Sequence, residues 1–440
     1  PWEYGSPQRD GEVIRIFQKI LDCTNEKAKT LWKKIIAEID RRKDNLSDTG
    51  TQESPSYEVS RRLYLQVIKP YLREAIKVLK EGKPNKPIEY IINTISALYK
   101  GSEEVMLVLV LSAYSQFCQP PDEKIHVIII GGSGKGKSAL ARAVLRCFPE
   151  YAYRSWIGCS PMSPYYLCRD NPTALARIIL YIDDSNLVDT TFLRSIKAPD
   201  YEGNAVYVTV DSQHPVEIFI DGTPIVWQSM VTPPEEREDR DRSHIAKIDE
   251  SKEQDMLVRE FILRKECEGK TMSEEISKKF MICRAIYWLL SRRQRNIIIP
   301  EEIRDHIPKI NDRRKLKRFI GFIRASAFIN QFQRKRDKNA IYASKEDLDV
   351  ALKIYVHTFL SDVYGLDEDS LEILKFLPKS PDENIGYDEI AKVIKKSRET
   401  AYNKMKRLSN EGLVYIERID KRDCPYLSED GLKLLEMLKK

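Results

Sequence analysis

Residues 131–138 read GGSGKGKS and fit the pattern G-x-x-x-x-G-K-[ST]. Glycines in such a loop let backbone N–H groups converge on phosphate oxygens, and a following helix adds positive potential at its N-terminus. Lys137 is placed to reach β- and γ-phosphates, and Ser138 to coordinate Mg²⁺. Gly131, Gly132, Ser133, Gly134, Lys135 and Gly136 complete the candidate phosphate cradle. A second acidic element, residues 178–184, reads IILYIDD. It has the form of an apolar strand ending in two aspartates. Asp183 is expected to hold Mg²⁺ through water, and Asp184 to orient or deprotonate an attacking water. Glu is the more usual second acid; the shorter Asp predicts a slower rate or altered water geometry.

These groups need a scaffold of strands with tight loops at their ends. The apolar run 125–130 leads into the loop, and the helical pattern ALARAVLRCF follows it. Strands are predicted near 153–158 and 178–182, a helix near 191–197, and further strands at 205–210, 216–220 and 224–229. Strands alternating with helices imply a mostly parallel α/β sheet. Residues 11–43 read as helical, 44–60 as a polar linker, and 61–100 as helical with a break at GKPNKP. An apolar helix is expected at 103–117, and the span 251–360 reads as all helical.

The chain has 440 residues and a net charge of 73 − 67 = +6, too mild a balance to imply nucleic acid by itself. Its 42% hydrophobic content excludes wholesale disorder. No apolar run is long enough to span a bilayer, and no N-terminal segment resembles a signal peptide. Eight cysteines include no Cys-x-x-Cys pair, which argues against a disulfide framework or a zinc site. Free thiols fit a reducing compartment, so a cytoplasmic location is expected. The chain opens on Pro1 rather than Met, and whether a domain precedes it is left open by the sequence.

The kind of phosphate-loop protein narrows by exclusion. No LSGGQ-like stretch is present, as an ABC ATPase requires. Asn85–Lys86 and Asn403–Lys404 both lack the Asp two residues on that a GTPase base-reading motif needs. What remains resembles an AAA+ ATPase, for which ATP and Mg²⁺ are the expected cofactors. In TPIVWQSMV, residues 223–231, Ser229 occupies the sensor-1 position with Gln228 beside it. In residues 233–251, Arg242 is similar to the family's arginine finger, with Arg240 as the fallback. Such a finger completes a neighbour's site and implies an oligomer. Residues 299–310, 311–332 and 343–355 are similar to the lid of the minichromosome maintenance (MCM) helicases, with Arg314 at the sensor-2 position.

The hairpin 204–221 resembles the presensor-1 insert of the MCM and superfamily-3 branch, whose hairpins line a pore and push on single-stranded DNA. Its tip, with Gln213 and His214, lacks the Lys such tips often carry; Arg194 and Lys197 are the nearest substitutes. Residues 367–440 resemble a winged helix. Its third helix, 398–412, lies in a local basic stretch and is expected to present Lys396, Arg398, Tyr402, Asn403, Lys404 and Arg407 to DNA, with Arg422 on the wing. The fold class is thus an α/β AAA+ P-loop core, 101–250, with a helical N-terminal domain, 1–100, a helical lid, 251–362, and a winged helix-turn-helix, 363–440.

The resemblance implies a ring-forming, hexameric, replicative MCM-like DNA helicase that acts on single-stranded and forked DNA with a primase or replisome partner. The chain departs from cellular MCM proteins in lacking their N-terminal OB-fold and zinc ribbon, as expected of a divergent relative from an archaeal plasmid, virus or integrated element. Two other readings stay open: an AAA+ origin-binding initiator or helicase-loader ATPase, and a winged-helix DNA-binding regulator with weak ATPase.

Overall fold

The computed structural model describes residues 55–118, 120, 123–157, 168–169, 171–183, 190–211, 214–234, 236–268, 273–292, 295–308, 310, 312–337, 340–355, 368–380, 385–419, 422–429, 431–432 and 435. The helical reading of 11–43 lies outside them. Helix α1, Pro55–Ile68, begins inside the stretch read as a linker. Helices α2, Leu72–Lys80, and α3, Lys86–Ile95, follow on either side of the GKPNKP break. Helix α4, Glu103–Ser115, is apolar on nearly every side and buried along most of its length. That composition fits a helix enclosed by other elements rather than one with a wet face.

Strand β1, Val127–Ile130, is fully buried and runs into the phosphate loop and helix α5, Lys137–Leu145. Strands β2, Tyr153–Ile157, and β3, Ile179–Asp183, come next, then helix α6, Thr190–Lys197. Strands β4, Ala205–Asp211, and β5, His214–Ile220, pair antiparallel as the expected hairpin. Its inner residues Ala205, Tyr207, Ile218 and Ile220 pack on Phe192, Leu193 and Ile196 of α6. Val206, Val208, Val210 and Phe219 on the other face are exposed. Strand β6, Ile225–Met230, helix α7, Arg237–Asp241, and strand β7, His244–Lys247, complete the sheet region. The five parallel strands stand in the order β2-β3-β6-β1-β7. All their C-terminal ends therefore lie on one side, where a parallel α/β sheet presents its ligand-binding loops.

Helix α8, Lys252–Glu268, leaves the sheet with Met256, Leu257, Ile262 and Leu263 exposed. Helix α9, Glu274–Leu290, packs on α1 and α2. The span read as all helical also contains β8, Asn296–Ile298, and β9, Ala340–Tyr342, which pair in parallel. Each strand is only three residues long, and what holds them is a pairing across forty residues that no local pattern announces. Between them lie helices α10, Glu301–Arg304, and α11, Arg313–Ile329; α12, Lys345–Ile354, follows. Helix α11 packs against both α4 and α12. One buried cluster runs from Tyr64 through the sheet to Leu427.

The C-terminal unit consists of α13, Glu368–Phe376, α14, Tyr387–Val393, α15, Arg398–Asn410, and the antiparallel ribbon of β10, Val414–Ile419, and β11, Arg422–Leu427. Ser397 caps α15 by accepting the Thr400 amide, as its sequence position suggests.

A buried ion pair fixes the end of α11 to α12. Arg334 and Asp347 meet at 2.7 Å, with side chains 2% and 0% exposed. Asp347 also accepts from Ser326 Oγ and from the Ser344 amide at the α12 cap. Removing the acid strands a buried guanidinium, which typically costs about 3–5 kcal/mol. Asp347→Ala is expected to lower stability by that order in urea denaturation, and Asp347→Asn by less.

Candidate functional site

The phosphate loop joins β1 to α5, with Gly134 and Gly136 in the left-handed region at φ 75° and 91°. A Cβ on Gly136 would also press on Tyr99, 3.1 Å from its hydroxyl, so this turn is doubly restricted to glycine. Helix α5 begins at Lys137. The first amides of a helix have no partner within it and carry positive partial charge, the arrangement that favours phosphate. The Lys137 ammonium donates to the carbonyls of Gly131 and Gly132 at 2.6 and 2.8 Å. It therefore lies across the mouth of the loop.

The strand order brings the remaining parts to this end. In register, Ile182 of β3 faces Gln228 of β6, and Ile129 of β1 faces Ser229. Asp183 therefore emerges one step beyond that level, beside Ser138. The Ser138 hydroxyl donates to Asp183 Oδ1 at 2.8 Å. A hydroxyl and a carboxylate converging beside phosphate-binding amides form a hard-oxygen set suited to Mg²⁺. The residues present thus fit a magnesium nucleotide: Ser138 and Asp183 would hold the ion, and Lys137 with the loop amides the phosphates. Asp184 lies outside the described residues.

Three groups here carry no motif signal. Arg142, one turn beyond Ser138 on the same face of α5, reaches Asp183 Oδ2 at 3.2 Å. Tyr181, two residues before Asp183 and so on the same face of β3, shares a buried hydrogen bond with Ser229 Oγ at 2.9 Å. Burial pushes the Tyr181 phenol up to about 12, so it stays protonated at neutral pH. Its only trace in the sequence is a hydroxyl within an otherwise aliphatic run. The third group is acidic. Glu250 accepts the Gly132 amide at 2.5 Å, and Asp255 on the first turn of α8 pairs with Lys135 at 2.7 Å. The Asp255 contact raises the Lys135 pKa. Gln254 anchors the same turn to the Lys100 carbonyl at 2.7 Å.

Arg242 is not brought to this end of its own sheet. Its strand, β7, pairs His244 with Val127 and Lys247 with Ile130. Arg242 thus lies at the level of Ile125, before the start of β1, while the phosphate loop follows its end, six residues on, a separation of about 20 Å at 3.3 Å per residue. It pairs with Glu238 at 2.5 Å. Arg314 is exposed on the first turn of α11, and its backbone amide is capped by Asp312. One turn on, buried Arg318 donates to the carbonyls of Asp241 and Ser243, tying α11 to the Arg242 segment. Arg194 clamps Asp239 and Glu236 of the same segment. Lys197 is buried and donates to Gln228 and to Ser243 Oγ. Neither of these two substitutes for the missing lysine of the hairpin tip, because both are turned inward to hold the Arg242 segment.

His214 is exposed at the start of β5, and Gln213 lies outside the described residues. On and beside α15, Lys396, Arg398, Tyr402, Asn403 and Arg407 are exposed, as is Arg422 on β11. Arg398 stands 3.5 Å from Asp388. Tyr402 lies edge-on to Tyr387, with centroids 5.3 Å apart. Lys404 differs: its side chain is only 16% exposed and meets Asp369 at 3.1 Å. That contact ties α15 to α13 instead of facing outward.

Residues 69–293 match the family model described as the MTBMA_p00010 P-loop domain, just over half of the chain. The chain belongs to that family. The matched span of this P-loop domain runs from the helices before the sheet to the end of α9. The chain is similar to an uncharacterized protein, MTBMA_p00010, of the archaeon Methanothermobacter marburgensis. They are 24% identical over 321 residues, 67% of this chain and 38% of that protein. The chain therefore spans well under half the length of that relative. Among the described residues no helix is long and apolar enough to cross a membrane. Cys118, Cys147, Cys168, Cys283 and Cys424 are buried free thiols, and Cys267 is an exposed one.

Two outcomes test this geometry. Tyr181→Phe removes one hydrogen bond, about 1 kcal/mol, from Ser229. It is expected to lower kcat for nucleotide hydrolysis several-fold with little change in nucleotide affinity. Burial pulls the Lys197 pKa from 10.5 down to about 7. Between those values the folded protein binds fewer protons than the unfolded chain, so this lysine makes stability rise with pH across that window. Lys197→Met is expected to flatten the rise in thermal denaturation scans between pH 7 and 10.

Proposed function

We propose that this P-loop domain protein is an ATP-dependent, ring-forming DNA helicase of MCM-like type that moves on single-stranded DNA and opens duplex. The observation that carries the reading is the placement of Arg242 at the opposite end of β1 from the phosphate loop. An arginine that cannot serve its own loop is positioned to serve that of a second copy, so the nucleotide site would be completed between subunits. The insertion of hairpin β4–β5 between α6 and β6 supports pore-directed movement. The helix order α13–α15 with its two-stranded ribbon supports a winged helix, and the helices after β7 support a lid.

Bound Mg-ATP supplies a γ-phosphoryl group that water can attack. Lys137 and the loop amides would bind and orient the phosphates, and Ser138 with Asp183 would hold the ion. Asp184 holds the proton of the attacking water. Ser229, hydrogen-bonded to Tyr181, would face the reacting end of the nucleotide. Arg242 of the adjacent copy, held in place by Arg194, Lys197 and Arg318, neutralises charge that develops there, with Arg314 as a second candidate. In this reading the copies form a hexamer, and DNA contacts fall to the hairpin tips and the exposed basic face of α15.

The contacts of Glu250 and Asp255 on the phosphate loop favour a second reading. Carboxylates competing for the same amide and ammonium suit a slow assembly switch, as in an initiator or helicase loader. A forked duplex incubated with protein, ATP and Mg²⁺ separates the readings. Strand displacement that disappears in Lys137→Ala supports the helicase. DNA-stimulated hydrolysis without displacement supports the loader, and tight duplex binding without hydrolysis supports a winged-helix regulator.

A further inference from the structure

A cleft of about 770 Å³ opens between α1, α2 and the C-terminal ends of α9 and α11, well apart in sequence from the hairpin and from α15. Five cations line it: Arg61 and Arg62 from α1, Lys80 from the end of α2, and Arg292 and Arg295 from the segment after α9. No carboxylate is among the described residues lining it. Its lining is also apolar, with Ile76, Leu79 and Trp288, and Phe332 at its edge.

Two of the cations are held in place. The guanidinium carbons of Arg61 and Arg292 stand 5.7 and 5.0 Å from the Trp288 ring centroid, within cation–π range. The Trp288 indole N–H donates to the Arg61 carbonyl at 3.1 Å, which fixes the ring as well. Arg61 Nε is buried with no hydrogen-bond partner. Phe332 keeps an exposed face at the cleft's edge, with Arg336 stacked 5.1 Å from its centroid.

Concentrated positive charge without carboxylates selects an anion. An apolar, aromatic lining of this size asks for a ligand with planar apolar surface as well, which inorganic phosphate does not have. Phosphates tracked by a basic groove and bases stacked on aromatic rings are the two contacts that single strands offer. We propose that this cleft binds single-stranded nucleic acid, with phosphates on the arginine and lysine rim and a base against Phe332. The site does not depend on the helicase reading, because none of its residues belongs to the nucleotide site, the hairpin or α15.

The test uses the full chain and fluorescein-labelled oligo(dT) or oligo(rU), read by anisotropy over a salt series. The variant Lys80→Glu/Arg295→Glu changes only exposed rim residues that do not stack on Trp288, and its melting temperature reports folding. Each phosphate contact on a single strand contributes roughly 0.7 to the slope of log K against log salt. The double variant is expected to flatten that slope by about 1.4. Photocrosslinking with 5-iododeoxyuridine oligonucleotide is expected to label the peptide containing Phe332, and Phe332→Ala to lose that label while remaining folded. An unchanged slope in a folded double variant overturns the proposal, as does crosslinking confined to the hairpin or α15. Binding to phosphatidylserine vesicles that the double variant loses, with oligonucleotide binding intact, assigns the cleft to a membrane surface and overturns it as well. If the unmodified protein binds no oligonucleotide, this proposal and the helicase reading fall together; loss in the cleft variant alone bears only on the cleft.

Discussion

The parallel pairing of β6 between β1 and β3 is the constraint on which the nucleotide site depends. Without that insertion β1 and β3 would be direct neighbours, and no strand would carry a polar side chain between the phosphate loop and Asp183. With it, Ser229 and the Tyr181 hydroxyl occupy the space between them. The same pairing sends β7 to the far side of β1, where its start meets Val127. One strand order therefore gathers Lys137, Ser138, Asp183 and Ser229 at one end and keeps Arg242 at the other.

Much of the rest serves to hold these two ends still. Helix α4 lies buried beside the sheet and carries α11 on its other side. Through Arg318, α11 reaches the carbonyls before β7. Arg194 and Lys197 reach the same segment from α6, so three basic side chains from two helices grip the few residues around Arg242. The burial of Lys197 is costly for a charge, and its lowered pKa reflects that cost. The phosphate loop has a comparable set of supports in Tyr99, Glu250 and Asp255.

What could be read in the sequence follows the range of the interaction. The phosphate loop, the strand ending at Asp183, the hairpin and the Ser397 cap each rest on residues a few positions apart, so spacing alone revealed them. The sheet strands were legible because each is a short apolar run between turns. Contacts across long separations left no such pattern. Lys404 reads as part of a basic helix face, and only the approach of α13 turns it to Asp369. Arg194 and Lys197 read as free cations near a hairpin until α7 and β7 are placed against them. Glu250 and Asp255 belong to a charged stretch whose closeness to Gly132 and Lys135 depends on the path taken after β7. The β8–β9 pair is too short for periodicity to register.

Helix α8 gives the phosphate loop a reach that its own few residues lack. At 1.5 Å per residue its 17 residues extend about 25 Å. Among the described residues it is fastened near its first turn, by Gln254 to Lys100 and by Asp255 to Lys135, and at mid-helix by the Phe261 ring, 5.8 Å from the Lys100 ammonium. Geometrically it is a lever whose fulcrum sits on the nucleotide loop. A tilt of about 10° there sweeps the far end through roughly 4 Å and the exposed Ile262 and Leu263, about 12 Å from Asp255, through roughly 2 Å, so a displacement too small to matter at Lys135 grows along the helix.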